Sequence, residues 1–104
     1  MANYVMVYKG GGVPQTAEAQ QATLAAWNSW YENIGEAVVD GGNPFGASSA
    51  VATDGTVSEG GPSGLAGYTI VTADDLATAT ELAKSCPILT DGGSVEVYET
   101  FQVM

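Results

Sequence analysis

Histidine is absent from the 104 residues, cysteine occurs once, and the basic side chains number two, Lys9 and Lys84. Each shortage excludes a chemistry. Without histidine there is no imidazole base, no Ser-His or Cys-His nucleophile pair and no imidazole metal ligand. The acids are scattered rather than clustered as an all-carboxylate calcium site needs, so neither a metal nor another cofactor is expected. The single Cys86 closes no internal disulfide, in keeping with a reducing compartment. Twelve acidic residues against two basic ones give a formal net charge of -10, which repels phosphate backbones and anionic lipid surfaces alike. Nucleic acid and membrane are therefore not expected partners. No apolar run approaches the roughly 20 residues of a spanning helix. Met1 to Tyr8 lack the basic start and long apolar stretch of a signal peptide, and a cytoplasmic location is expected.

What remains is enough to fold. Apolar residues make up 45% of the chain and charged ones 13%, unlike the composition of a disordered polymer. A single domain over residues 1–104 is expected, with a thin core, since a chain of this size buries roughly 60 to 70% of its unfolded surface. Its pattern reads twice as strand, helix, strand, over residues 3–53 and 66–103.

In the first copy, residues 3–9 are rich in Val and Tyr and end at Lys9-Gly10-Gly11-Gly12, a strand and its exit loop. Pro14 and Thr16 precede a run of helix formers, with Thr16 as N-cap and Glu18 in the first turn; the helix spans roughly 16–34 and Gly35 stops it. Leu24, Trp27, Tyr31 and Ile34 fall on one stripe of that helix. Trp30 lies beside the stripe. This assigns Trp27 to the core and Trp30 to an interface, with stacking on a planar ligand as the other role open to both. Residues 36–40 form a short strand ended by Gly41-Gly42-Asn43-Pro44-Phe45-Gly46. Ser48 to Thr53 and Thr56 to Ser58, around Asp54-Gly55, predict a type I′ hairpin, and residues 59–65 a loop.

In the second copy, Gly67 to Thr72 reads as a strand, and Thr72-x-x-Asp75 has the spacing of a capping box that starts a helix over 74–85. Leu76, Ala79, Ala83 and Cys86 share one face of it, and Pro87 prevents its continuation. The last strand, 94–103, alternates Val95, Val97, Phe101 and Val103, with Glu99 interrupting the apolar row.

Two such units predict an α+β domain of the ferredoxin-like, split βαβ type: one antiparallel sheet, two helices on one face and an inserted hairpin. The other face then carries Tyr4, Met6 and Tyr8 or, alternatively, Val5 and Val7, too much apolar surface to leave wet. A two-fold axis covers it with one surface used twice, so a homodimer with sheets face to face is expected.

Gly67-Tyr68-x-Ile70-Val71-x-Ala73-x-x-Leu76-x-x-Ala79, then Ala83-x-x-Cys86-Pro87, then Gly92-Gly93-Ser94-Val95-Glu96-Val97, resembles the YCII-related and DGPF group of small proteins. The resemblance implies a ferredoxin-like fold paired as a dimeric α/β barrel. The Asp-Gly-Pro-Phe segment that names the DGPF group is replaced here by Glu59-Gly60-Gly61-Pro62-Ser63. Some members of that group are similar to enzymes that use a His with an Asp in a cleft. No residue of this chain can inherit the histidine's part.

Asp40, at the end of the second strand beside a rigid turn, is the leading candidate for chemistry, as a general base if burial raised its pKa. Its plainer role is a turn residue accepting from nearby backbone amides. Glu99, an acid on an apolar strand face, must be paired, protonated or near solvent. Across a dimer axis two copies of Glu99 would share a proton; otherwise Glu99 sits at a wet barrel end. Lys9 with its glycines is either a weak anion site or a flexible exit loop. Cys86 lies at a helix C-terminus, whereas reactive thiols favour N-termini. The expected function is binding of a small planar or aromatic molecule in the inter-sheet cleft of the homodimer, lined by Tyr8, Asp40, Tyr68 and Glu99. The alternatives are a cofactor-free lyase or isomerase in which Asp40 or Glu99 moves a proton, and a regulatory or interaction module with no ligand.

Overall fold

The computed structural model describes residues 2–10, 15–61 and 63–102; Gly11, Gly12, Pro14, Pro62 and Val103, used in the sequence reading, lie outside the described residues. The elements run β1 (Ala2–Lys9), α1 (Ala17–Ile34), β2 (Val38–Asp40), β3 (Ser49–Val51), β4 (Val57–Glu59), β5 (Leu65–Ala73), α2 (Leu76–Ala83) and β6 (Ser94–Glu99). The main sheet has the order β2-β5-β1-β6. All its neighbours pair antiparallel. Setting aside the β3–β4 pair, the strand that follows each helix lies beyond an antiparallel strand from the other unit, which is the split βαβ arrangement.

Period-two alternation decides the faces. Tyr4, Met6 and Tyr8 of β1 are buried, and so are Thr69, Val71 and Ala73 of β5. They form one cluster with Trp30 and Ile34 of α1 and Ala79 and Ala83 of α2, so both helices cover the same side of the sheet. Val5 and Val7 point the other way, opposite Ile70 and Tyr68 on β5 and Tyr98 and Glu96 on β6. Of the two placements considered for the first strand, the structure has Tyr4, Met6 and Tyr8 inward and Val5 and Val7 outward.

The local stops follow their chemistry. Thr16 Oγ1 accepts from the Ala19 N–H at 3.0 Å and caps α1, and Gly35 ends it with φ +43°. The cap of α2 differs from the expected capping box. Asp75, not Thr72, accepts from the Thr78 N–H at 2.8 Å, and the helix covers Leu76–Ala83 rather than 74–85. Thr72 is the last but one residue of β5 and its hydroxyl donates to the Ala2 carbonyl at 3.2 Å, so it is held by the sheet instead. The hairpin turn also departs from type I′. Ala52 and Thr56 bond across a three-residue loop, Gly55 N–H donates to the Ala52 carbonyl at 2.8 Å, and Gly55 has φ +89° while Asp54 has no positive φ. This is a type I turn followed by a bulge glycine: it leaves the aspartate in ordinary backbone space, where type I′ would force it left-handed. β6 ends at Glu99, short of the expected 103, because Thr100 turns to bond the Asn3 carbonyl through both its N–H and its hydroxyl. Phe101 is left 79% exposed.

The molecule measures 43 × 39 × 18 Å, the thickness of one helix layer on one sheet. Its radius of gyration of 15.2 Å exceeds the about 13 Å of a compact chain of this length, as a flat slab with a projecting hairpin requires. Among the described residues no helix is long and apolar enough to cross a membrane.

Candidate functional site

A hollow of about 400 Å³ opens between α1 and the sheet, where the segment after β2 crosses β5. Its lining joins Trp27, Asn28 and Tyr31 of α1 to Tyr8 of β1, Gly67 and Tyr68 of β5, and the turn Gly41 to Pro44. The crossing depends on two glycines. A Cβ on Gly42, which has φ +72°, would stand 1.7 Å from the Tyr68 carbonyl oxygen, and one on Gly67 would stand 3.0 Å from the Asn43 carbonyl oxygen. The bare backbones therefore approach closely enough for Phe45 N–H to donate to the Ala66 carbonyl at 2.8 Å. Phe45 then stacks on Tyr68, ring centroids 5.8 Å apart.

The wall is aromatic. Tyr8 and Trp27 meet edge to face at 5.2 Å, and Trp27 and Tyr31 lie 6.0 Å apart. At the base three hydroxyls and one carbonyl form a closed cluster. Tyr8 OH donates to Thr69 Oγ1 at 2.6 Å, Thr69 Oγ1 to the Gly41 carbonyl at 3.1 Å, and Tyr31 OH to the same carbonyl at 2.9 Å, with Tyr31 OH and Thr69 Oγ1 also 3.1 Å apart. Burial raises the Tyr8 phenol well above its ordinary value, against the opposing effect of the Thr69 hydrogen bond. The lining contains no acid, no base and no cysteine, so the hollow is built to hold a molecule by shape, rings and hydrogen bonds. On the other flank of α1 a second hollow of about 360 Å³ is lined by Ala22, Ala26 and Ser29 and has Trp30 as its single aromatic wall.

The four residues named from the sequence separate. Tyr8 and Tyr68 line the same hollow. Asp40 does not line it: its Oδ1 accepts from the Gly42 N–H at 2.8 Å, the turn role, and holds the crossing segment in place. Glu99 is further off, exposed beside Tyr4 at the opposite end of β1, and accepts from the Tyr4 hydroxyl at 3.3 Å. The hollow also lies on the helix-covered side of the sheet rather than in an inter-sheet cleft, because Tyr8 points inward. The tryptophans depart from their expected roles. Trp30 is 2% exposed, and its Nε1–H donates to the Leu82 carbonyl at 3.1 Å, whereas Trp27 is only half-buried and walls the hollow. Leu24, placed on the core stripe by its spacing, is 64% exposed at the rim.

Sequence reasoning passed over Thr69. The signal was available: a polar residue in the inward row Gly67, Thr69, Val71, Ala73 must bond to something buried. Elsewhere, Lys9 pairs with Glu96 at 2.8 Å on the open face of the sheet, and Glu96 also accepts from Tyr98 OH. Cys86 is buried, and burial pushes its thiol up to about 11, an inert rather than a reactive sulfur. Among the described residues no group of three His, Cys, Asp or Glu side chains could hold a metal ion.

No curated protein matches this chain. A solved structure similar to it is 5-chloro-2-hydroxyhydroquinone dehydrochlorinase from Burkholderia phenoliruptrix AC1100, in complex with 2,5-dihydroxybenzoquinone: 15% identity, 95% of this chain and 93% of that one covered, TM-score 0.54. At that identity the likeness concerns the fold, the same mixed α+β arrangement of antiparallel sheet and two helices. The family model of the YCII-related domain matches residues 1–103, nearly end to end and over both strand-helix-strand units, and the chain belongs to the YCII-related family.

Proposed function

We propose that this protein binds a small planar or aromatic molecule in the hollow between α1 and the sheet, and that it does so as a homodimer. The observation that carries the first part is the convergence of Tyr8, Trp27 and Tyr31 on one concavity of about 400 Å³, a volume in the range of small-molecule sites. The structural neighbour's ligand, a planar quinone, is consistent with such a use of the fold. Proton transfer is less well supported. Asp40 and Glu99 are both occupied as hydrogen-bond acceptors away from the lining, so neither is placed to reach a molecule held there.

Support for the dimer comes from the face away from the helices, where Val5, Val7, Ile70 and Tyr98 lie in register and, among the described residues, no helix covers them. A second copy packed by a two-fold axis covers that face on both partners and matches the pairing that the family resemblance implies.

The binding reading is tested by nitrogen-15 NMR of the indole N–H groups during titration with phenol. The Trp27 signal is expected to shift and the Trp30 signal to stay; a silent Trp27 would sink the reading. For the dimer, sedimentation at micromolar concentration is expected to give twice the chain mass of 10.6 kDa. A single-chain mass would refute it.

A further inference from the structure

We infer that the hollow selects ligands bearing a positive charge beside a ring, such as an aromatic amine in its ammonium form, over carboxylates and phosphates. This rests on the reading of the hollow as a binding site and adds the class of molecule it takes.

Protons provide the first ground. Each hydroxyl has one to give, and those of Tyr8, Tyr31 and Thr69 all end within their own cluster, on Thr69 Oγ1 or the Gly41 carbonyl. Whichever partner donates across the Tyr31–Thr69 contact, no proton is left over. Gly42 N–H, also at the rim, already donates to Asp40 Oδ1. The phenol hydroxyls of Tyr8 and Tyr31 therefore offer the hollow lone pairs rather than protons, and its side-chain donors are the Trp27 indole N–H and the asparagine amides. Asn28 and Asn43 add amides that serve either way and so do not discriminate.

Charge provides the second. The chain has two basic side chains, and both are paired: Lys9 with Glu96 at 2.8 Å on the opposite face of the sheet, Lys84 with Glu81 at 2.7 Å on α2. Neither lines the hollow, and the protein's net charge of -10 repels an incoming anion. The rings supply a third, since the faces of Trp27, Tyr8 and Tyr31 attract a cation held within about 6 Å of a ring centroid.

Benzylamine, cationic at pH 7, benzyl alcohol and benzoate have nearly the same shape and differ in charge. Titrated calorimetrically into the full chain at low salt, benzylammonium is expected to bind about tenfold more tightly than benzyl alcohol, and benzoate more weakly than either. In Trp27→Leu the ratio of ammonium to alcohol affinity is expected to fall toward one, which general attraction to an acidic surface would not produce. Equal binding of the ammonium and the alcohol, or tighter binding of benzoate, would overturn the inference while leaving the hollow as a binding site. If none of the three binds and phenol leaves Trp27 unmoved, the binding reading falls and this inference with it. The wild-type series decides the matter even if Trp27→Leu does not fold.

Discussion

One turn apart on α1, Trp30 and Trp27 face the same sheet and do opposite things. Trp30 is buried even where it borders the second hollow: α2 lies across it with Ala79 and Ala83, residues small enough to let a tryptophan in, and the Leu82 carbonyl accepts from the indole N–H. At Trp27 α2 contributes nothing to the lining. What lies across is a glycine turn drawn tightly onto β5, and the gap between that turn and the helix is the hollow. The difference shows that a side chain's role depends less on its type and spacing than on which element stands opposite. The same large ring is structural where a helix of small apolar residues covers it and available to a ligand where a glycine turn leaves part of it open.

The comparison is broken or sharpened by substitution. Trp30→Ala removes the ring that α2 covers and is expected to destabilise by about 3–5 kcal/mol, measured by urea unfolding. If Trp27→Ala proved equally damaging, the contrast between the two would be lost. Gly42→Ala is expected to be worth about 2–3 kcal/mol, because the new Cβ meets a carbonyl oxygen in backbone that already disfavours a side chain. It should also displace the crossing segment, so that phenol no longer shifts the Trp27 indole signal. Trp27→Ala itself is expected to reduce stability by only about 1–2 kcal/mol while weakening aromatic binding, as suits a half-buried ring.

The smallest effect concerns the cap that holds α2 across from Trp30. Hydrogen bonds from the Thr78 hydroxyl and N–H hold the Asp75 carboxyl below the usual carboxylate value. A lowered folded value means stability present above the unfolded pKa and lost as pH falls through the folded one. The melting temperature of Asp75→Ala should therefore lie below wild type at neutral pH, and the gap should close on acidification below the ordinary carboxylate range. A gap that persisted unchanged in acid would rule out the charged cap as its source.

Much of the fold was legible because it rests on local signals. The alternation of β1, the Thr16 cap and the Gly35 stop each arise from neighbours within a few residues, and each is present in the structure. The errors fall where two elements compete for one residue. Thr72 has the spacing of a cap, but sheet pairing with β1 claims it first; Asp54-Gly55 suits a type I′ turn, but a bulge closes the hairpin without straining the aspartate. The hollow was legible only in part. Tyr8 and Tyr68 could be named as residues on strands, while Trp27, Tyr31 and Thr69 become one site only when a helix and two strands meet.

The sequence by itself determined the α+β class, the two strand-helix-strand units and the exclusion of histidine chemistry, since these follow from composition and from periodicities of two and 3.6 residues. Only the tertiary structure decided which face of β1 is inward, which tryptophan is core and where the hollow opens. Those depend on contacts between residues far apart in the chain, such as Trp30 with Leu82 and Tyr8 with Thr69, and no local pattern encodes which partner will be there.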